Sequence, residues 1–274
     1  MSIGKELRMN HLFNPQSGRM VLITMDHGVC VSPMKEISRP AEMVEKFVDG
    51  GADAILVTPG IARRVYPKLL GSGTSLIMRM DGTATSIGPD LTNDALICTT
   101  SGALRMGADG IATLGVIGVE RETELSHKIA MLADECDEMG MPLVVEMVPA
   151  EKLAYMYDTK SRRQWPSQTE VVKYGARVSV ELGADIVKGF YTGDKESFRE
   201  VLDYCPAPYL VLSGPAAGDP EIFLGFVRDA IDCGAKGVSV GRNVWTHPRP
   251  DCMVRALCRI VHEDASVASA MKEL

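Results

Sequence analysis

No stretch of about 18 consecutive apolar residues occurs, so no membrane-spanning helix is expected. The first residues, Met-Ser-Ile-Gly-Lys-Glu-Leu-Arg, are charged and lack the apolar centre of a secretory signal. The seven cysteines are odd in number and form no Cys-x-x-Cys pair. That pattern argues for reduced thiols and a cytoplasmic location, not for a disulfide framework. The net charge of −7 carries no block of like charge and no basic excess. Nucleic acid is therefore not expected as the main partner, because a phosphate backbone demands a basic face. Small phosphorylated ligands stay open, since they need only a few local donors. The five histidines (His11, His27, His127, His247, His262) show neither His-x-x-x-His nor His-Glu-x-x-His spacing, so no metal site is expected. No Pro/Ser-rich linker divides the chain, and one domain over 1–274 is expected, with residues 1–19 preceding the first strand.

What is present is an alternation of short apolar runs with longer helical patterns. Strands are expected at Met20–Met25, Ala54–Thr58, Ser75–Met80, Gly110–Val116, Pro142–Val148, Asp185–Phe190, Tyr209–Ser213 and Gly237–Val240. The runs are brief and mostly unalternating, as in parallel strands covered on both faces. Between them the spacing predicts helices at Ala41–Gly50, Asn93–Met106, Glu120–Met139, Thr169–Leu182, Lys195–Tyr204 and Glu221–Cys233, with a last one at Cys252–Glu263. Gly-Ala-Asp recurs at 51–53, 107–109 and 183–185, with Gly-Ala-Lys at 234–236 as a looser copy. Each copy falls where a helix ends and the next strand begins, and the glycine suits a left-handed helix C-cap. At 274 residues the chain has room for a single (β/α)₈ TIM barrel, which needs about 250. The rival, an open doubly wound sheet, is weakened because no Gly-x-Gly-x-x-Gly follows the first strand.

In such a barrel the reacting groups sit at the C-terminal ends of the strands. That rule selects Asp26, His27, Asp81, Glu146, Lys188, Tyr191, Ser213 with Gly214, and Gly241 with Arg242. Lys188 lies in the otherwise apolar run Asp-Ile-Val-Lys-Gly-Phe. Burial disfavours an ammonium ion, and a neutral amine attacks ketones to give a Schiff base. A lysine that snorkels or pairs with a carboxylate is the bland alternative. Asp26-His27-Gly28 suits proton transfer, or equally a capped turn with a hydrogen-bonded histidine. Ser213-Gly214 and Gly241-Arg242 close the seventh and eighth strands, where barrels often hold phosphate on backbone N–H groups. Tyr155 and Tyr157 lie in the least regular stretch, 149–167, which is long enough to serve as a lid.

These residues carry a resemblance. Gly4-Lys5, Leu12-Phe13-Asn14-Pro15, Met25-Asp26-His27-Gly28, Leu182-Gly183-Ala184-Asp185, Lys188 with Tyr191-Thr192-Gly193-Asp194, Ser213-Gly214-Pro215 and Gly241-Arg242-Asn243 together resemble the archaeal-type class I aldolases of the DhnA/FbaB (DeoC/LacD-like) group. That group includes fructose-bisphosphate aldolases, 2-amino-3,7-dideoxy-D-threo-hept-6-ulosonate synthases and the LsrF-type thiolase. The resemblance implies a cofactor-free, metal-independent enzyme with Lys188 as the Schiff-base lysine. It implies that Asp26 contacts the lysine and substrate hydroxyls, and that a phosphate is held by the last two loops. A homo-oligomer, commonly a decamer, is implied as well.

One departure stands out. The group's fructose-bisphosphate aldolases end the fifth strand in Tyr-Pro, where the tyrosine moves the proton; here the dipeptide is Val148-Pro149. Either Tyr155 or Tyr157 takes over, or His27, Glu146 or a water does. The expectation is thus an aldolase joining or cleaving a phosphorylated ketose donor, such as dihydroxyacetone phosphate, and an aldehyde, with aspartate semialdehyde a candidate acceptor. The alternatives are a fructose-bisphosphate aldolase, a thiolase acting on a phosphorylated dione, and a non-catalytic sugar-phosphate-binding barrel.

Overall fold

A computed structural model describes residues 2–29, 33–82, 84–150, 168–213 and 218–274. Eight parallel strands close into a barrel in sequential order. They are β1 (Met20–Thr24), β2 (Ala54–Val57), β3 (Ser75–Arg79), β4 (Gly110–Ile117), β5 (Leu143–Pro149), β6 (Ile186–Phe190), β7 (Tyr209–Leu212) and β8 (Gly237–Val240). The single TIM barrel expected from the apolar runs is the observed fold, each strand lying within two residues of its expected limits.

Side chains alternate across each strand, and the two faces have separate tasks. Met20, Leu22, Ala54, Leu56, Ile77, Ala112, Val144, Ile186 and Leu210 point inward and fill the barrel interior. Val21, Ile23, Ile55, Val57, Val145, Val187 and Val211 point outward into a larger core beneath the helices. The amphipathic helices that cover this face include α2 (Pro40–Asp49), α5 (Glu122–Met139), α6 (Gln168–Glu181), α7 (Lys195–Asp203), α8 (Pro220–Cys233) and α10 (Pro250–Glu263). Shorter helices are α3 (Pro59–Val65), α4 (Thr100–Arg105), α9 (Arg242–Trp245) and α11 (Val267–Ala270).

The segment before β1 folds as helix α1 (Ile3–Leu12), started by Ser2, whose hydroxyl accepts the Lys5 N–H. Its fully buried Leu12 joins the interior cluster and closes the bottom of the barrel.

The recurring Gly-Ala-Asp phrases act as stitches. Gly51, Gly107 and Gly183 have φ of 90°, 78° and 99°, a left-handed turn that residues with a Cβ adopt at a cost. The aspartate that follows then makes two bonds to the start of the preceding strand. Asp53 donates its N–H to the Val21 carbonyl and accepts the Val21 N–H on its carboxylate, at 3.1 and 2.6 Å. Asp109 does the same with Leu76, at 2.8 and 3.2 Å. Asp185 repeats it with Leu143, at 3.0 and 2.9 Å. The looser copy has Lys236 in place of aspartate, and there the backbone bond to Tyr209 stands without a carboxylate.

One expected element differs. Asn93–Met106 is not a single helix. Ala95–Leu96 pairs antiparallel with Asp81–Gly82 as a short hairpin above β3. The Ile97 N–H donates to the Met80 carbonyl at 2.8 Å. Helix α4 starts only at Thr100, where the Thr99 hydroxyl accepts the Gly102 N–H.

Candidate active site

The top of the barrel carries a connected set of buried charges. Lys188 lies on β6 in register with Glu146 on β5. Their side chains point into the barrel mouth, with Lys188 Nζ 3.0 Å from Glu146 Oε2. The same carboxylate oxygen accepts a bond from Arg79 Nη1, at the end of β3, at 2.8 Å. Arg79 Nη1 also donates to Asp26 Oδ2 at 3.2 Å, just beyond β1. Arg79 Nε reaches Asp81 Oδ1 at 2.6 Å. Asp81 is closed from behind: its Oδ2 accepts bonds from Lys128 Nζ and Thr113 Oγ1, each at 2.6 Å, and from the Leu114 N–H at 2.8 Å.

Lys188 and Asp26 are each 6% exposed, Arg79 4% and Asp81 0%, so water does little to solvate any of them. Burial at this level is tolerated only when charges are paired and hydrogen-bonded. Burial pushes the Glu146 carboxyl up, but Lys188 and Arg79 outweigh it and hold the group down at about 2. Burial likewise opposes ionisation of Asp81, and Arg79, Lys128 and Thr113 bring it below the ordinary aspartate range. Both groups are carboxylates at neutral pH.

His27 opens a short 3₁₀ turn over residues 27–29. Its ring packs edge-on against Trp245, centroids 5.3 Å apart. Trp245 in turn donates its indole N–H to the Thr24 carbonyl at 3.2 Å. Burial, helped by the positive charges of Lys188 and Arg242, lowers the His27 pKa below 6.5 against the pull of Asp26 and Glu146. The ring is neutral at physiological pH. His27 lines one small cavity together with Lys188, Glu146, Ser213, Ser239, Gly241 and Arg242. Gly241 has no room for a side chain: a Cβ would lie 2.6 Å from Thr24 Oγ1 and 2.8 Å from His27 Cε1. A second, larger cavity of about 510 Å³ is lined by Asp26 together with Met25, Val29, Met34, Ile37 and Ile61.

The structure therefore brings together Asp26, His27, Asp81, Glu146, Lys188, Ser213, Gly241 and Arg242 from the sequence-based set. Tyr155, Tyr157 and Gly214 lie outside the described residues, as does nearly all of the 149–167 stretch read as a lid. Tyr191 faces away from this group. Its ring sits between Phe198 and Phe226, and burial pushes its phenol up to about 12. Asp194, three residues on, accepts the Ser197 N–H and caps α7. The Tyr-Thr-Gly-Asp phrase is thus a packing and capping device beside the lysine. Arg79, Lys128 and Trp245 were not anticipated. A charged residue inside the apolar run Ser-Leu-Ile-Met-Arg-Met was the one available signal for Arg79. Among the described residues, no group of three or more His, Cys, Asp or Glu side chains is placed to hold a metal ion.

Residues 20–247 match the family described as DeoC/LacD family aldolase. An uncharacterized aldolase of Saccharolobus solfataricus is 35% identical, the alignment covering 99% of each chain. The 2-amino-3,7-dideoxy-D-threo-hept-6-ulosonate synthase of Halobacterium salinarum is 32% identical, over 98% of this chain and 95% of its own. Among solved structures, an archaeal fructose-1,6-bisphosphate aldolase whose catalytic lysine is covalently bound to the carbinolamine intermediate superposes with a TM-score of 0.82. It is 25% identical and covers 94% of this chain and 99% of its own.

Proposed function

Because the chain belongs to the DeoC/LacD family of aldolases, we propose that it makes or breaks a carbon–carbon bond through a Schiff base on Lys188, using a phosphorylated ketose donor and an aldehyde acceptor. The observation that carries this reading is a buried lysine at the end of β6, held by Glu146 and facing a neutral His27 across one cavity. The covalent lysine intermediate named for the solved relative supports it, and no cofactor is required.

Lys188 Nζ, as the neutral amine, attacks the donor carbonyl and forms a carbinolamine. Loss of water leaves an iminium cation, which the Glu146 carboxylate stabilises from 3.0 Å in a poorly solvated site. The iminium acidifies the adjacent C–H, and the neutral His27 ring takes that proton to give an enamine. The enamine carbon attacks the acceptor aldehyde. His27 returns the proton to the new alkoxide, and water hydrolyses the iminium to free Lys188. Ser213, the Gly241 backbone and the Arg242 guanidinium are the groups assigned to the donor phosphate, so that binding energy fixes the reacting carbon. The cavity lined by Asp26 is the one we assign to the acceptor. Aspartate semialdehyde, the expectation drawn from the synthase resemblance, is one acceptor to try there.

The test is borohydride reduction in the presence of dihydroxyacetone phosphate, read by peptide mass spectrometry. A reduced three-carbon adduct on Lys188, absent from a Lys188→Met variant, is the expected result. A folded protein that gives no adduct with any phosphorylated ketose overturns the reading. An adduct accompanied by acyl transfer to a thiol, without aldehyde turnover, would direct it to the thiolase-type alternative.

A further inference from the structure

We propose that Arg79, anchored from behind by Asp81 and Lys128, is a positioning residue that keeps Glu146 charge-balanced whether or not Lys188 carries its proton. The proposal rests on the Schiff-base reading above and adds a requirement to it. For Lys188 to act as a nucleophile its ammonium must lose a proton. If Lys188 were the sole partner of Glu146, that loss would strand a bare carboxylate in a buried site, and the pair would resist it. Arg79 Nη1, 2.8 Å from the same Oε2 atom, removes the obstacle, because a guanidinium keeps its charge at every working pH.

The rest of the cluster is arranged to hold Arg79 in that pose. Its Nε is tied to Asp81 Oδ1 at 2.6 Å. The other carboxylate oxygen of Asp81, Oδ2, accepts three hydrogen bonds, from Lys128 on α5 and from Thr113 and the Leu114 N–H on β4. The guanidinium cannot swing away without breaking a fully buried pair. From this fixed seat it spans the barrel mouth, touching Asp26 beyond β1 and Glu146 on β5. Three cations (Arg79, Lys128, Lys188) thereby face three carboxylates (Asp26, Asp81, Glu146), with Asp94, His27 and Arg242 as further titratable or charged groups acting on the site. A purely structural clamp would need no more than Arg79, Asp81 and Lys128. The extra reach of Nη1 to Asp26 and Glu146 joins the clamp to the reacting lysine.

The experiment compares wild type with Arg79→Gln and Arg79→Lys. Trace acetylation of Lys188 by acetic anhydride against pH reports when the amine becomes reactive and needs no substrate. Steady-state turnover and borohydride trapping with dihydroxyacetone phosphate report the reaction. In Arg79→Gln, acetylation and trapping are both expected to move to higher pH by about one unit or more, the scale of removing one close like charge. kcat is expected to fall about 10²-fold with KM changed little, as for a group that acts on the reacting centre. Arg79→Lys keeps the charge and loses the fork, so it should recover part of both effects. If Arg79→Gln does not fold, Arg79→Lys alone decides, with a smaller shift in the same direction. A folded variant that loses thermal stability while its acetylation profile stays at the wild-type pH overturns the proposal. A wild-type protein that never traps a ketose phosphate, yet shows the acetylation shift on substitution, leaves this inference standing and removes the Schiff-base reading instead.

Discussion

Glu146 and Lys188 stand opposite each other in register on neighbouring strands, with Oε2 3.0 Å from Nζ. In a parallel sheet, register partners point to the same face. The pairing is therefore built into the β5–β6 ladder and does not depend on a loop. Glu146→Gln keeps the shape and removes the charge. The prediction is a folded protein in which imine formation at Lys188 slows by about 10²-fold, the scale of losing one preorganised electrostatic partner. Single-turnover trapping measures it, and a change of less than threefold would reduce Glu146 to a spacer.

His27 is assigned the proton steps, which begin after the imine exists. His27→Asn should therefore still yield the reduced donor adduct on Lys188 while overall turnover drops by about 10²- to 10⁴-fold. Hydrogen–deuterium exchange at the donor carbon, followed by NMR, isolates the same step and should fall in parallel. Loss of the adduct itself would assign His27 to positioning of the lysine.

The buried imidazole also predicts a pH dependence of stability. Its folded pKa lies below 6.5 because burial and the nearby cations disfavour the charged ring. Its full contribution is present above pH 6.5 and is lost as pH falls toward the lower folded value, because the unfolded chain takes the proton first. Denaturant titrations of wild type and His27→Phe at pH 7 and at about pH 5 test this, the variant losing less stability over that interval.

Asp81 gives a sharper stability test. Asp81→Asn leaves Arg79 and Lys128 facing each other in a buried site with no carboxylate between them. Breaking a buried pair in this way costs about 3–5 kcal/mol. Its depressed pKa makes the wild-type contribution fully present above about pH 4 and lost as pH drops through the lower folded value. The gap in unfolding free energy between wild type and variant should thus be widest near neutrality and close in acid.

At Gly241 the prediction concerns shape. A methyl group there would meet Thr24 Oγ1 at 2.6 Å and His27 Cε1 at 2.8 Å. Gly241→Ala should destabilise by about 1–3 kcal/mol, the usual cost of overpacking. It should also reduce turnover more than it reduces formation of the Lys188 adduct, because the displaced atom belongs to the histidine ring.

Much of this was legible in the sequence. Parallel strands covered on both faces leave unbroken apolar runs, so β1 to β8 could be read from composition alone, and a polar residue ending such a run marks the mouth of the barrel. That reasoning found Asp26, His27, Asp81, Glu146 and Lys188. It also selected Tyr191, which follows β6 but turns outward onto Phe198 and Phe226. The rule gives a position along the axis and not the side of the wall. Asn93–Met106 has helical spacing, yet its first part is taken by pairing to Asp81–Gly82, a tertiary preference that overrides local propensity. Lys128 was invisible because it sits within an amphipathic helix, 47 residues from Asp81, where a lysine ordinarily means solvent. Trp245 was missed for a similar reason: its role is to brace His27, which follows β1 at the other end of the chain.

The stitched aspartates have a consequence for how such a protein can change. Asp53, Asp109 and Asp185 bind strand to strand at the floor, where Leu12 seals the interior. Lys188, Glu146, Arg79 and His27 occupy the opposite rim, beyond the apolar layers that fill the barrel. The residues that secure the architecture and those assigned to the chemistry share almost no neighbours, so substitutions in the two groups should add nearly independently. A lineage carrying this floor is free to experiment at its rim, exchanging one acceptor for another without reopening the question of whether the chain folds.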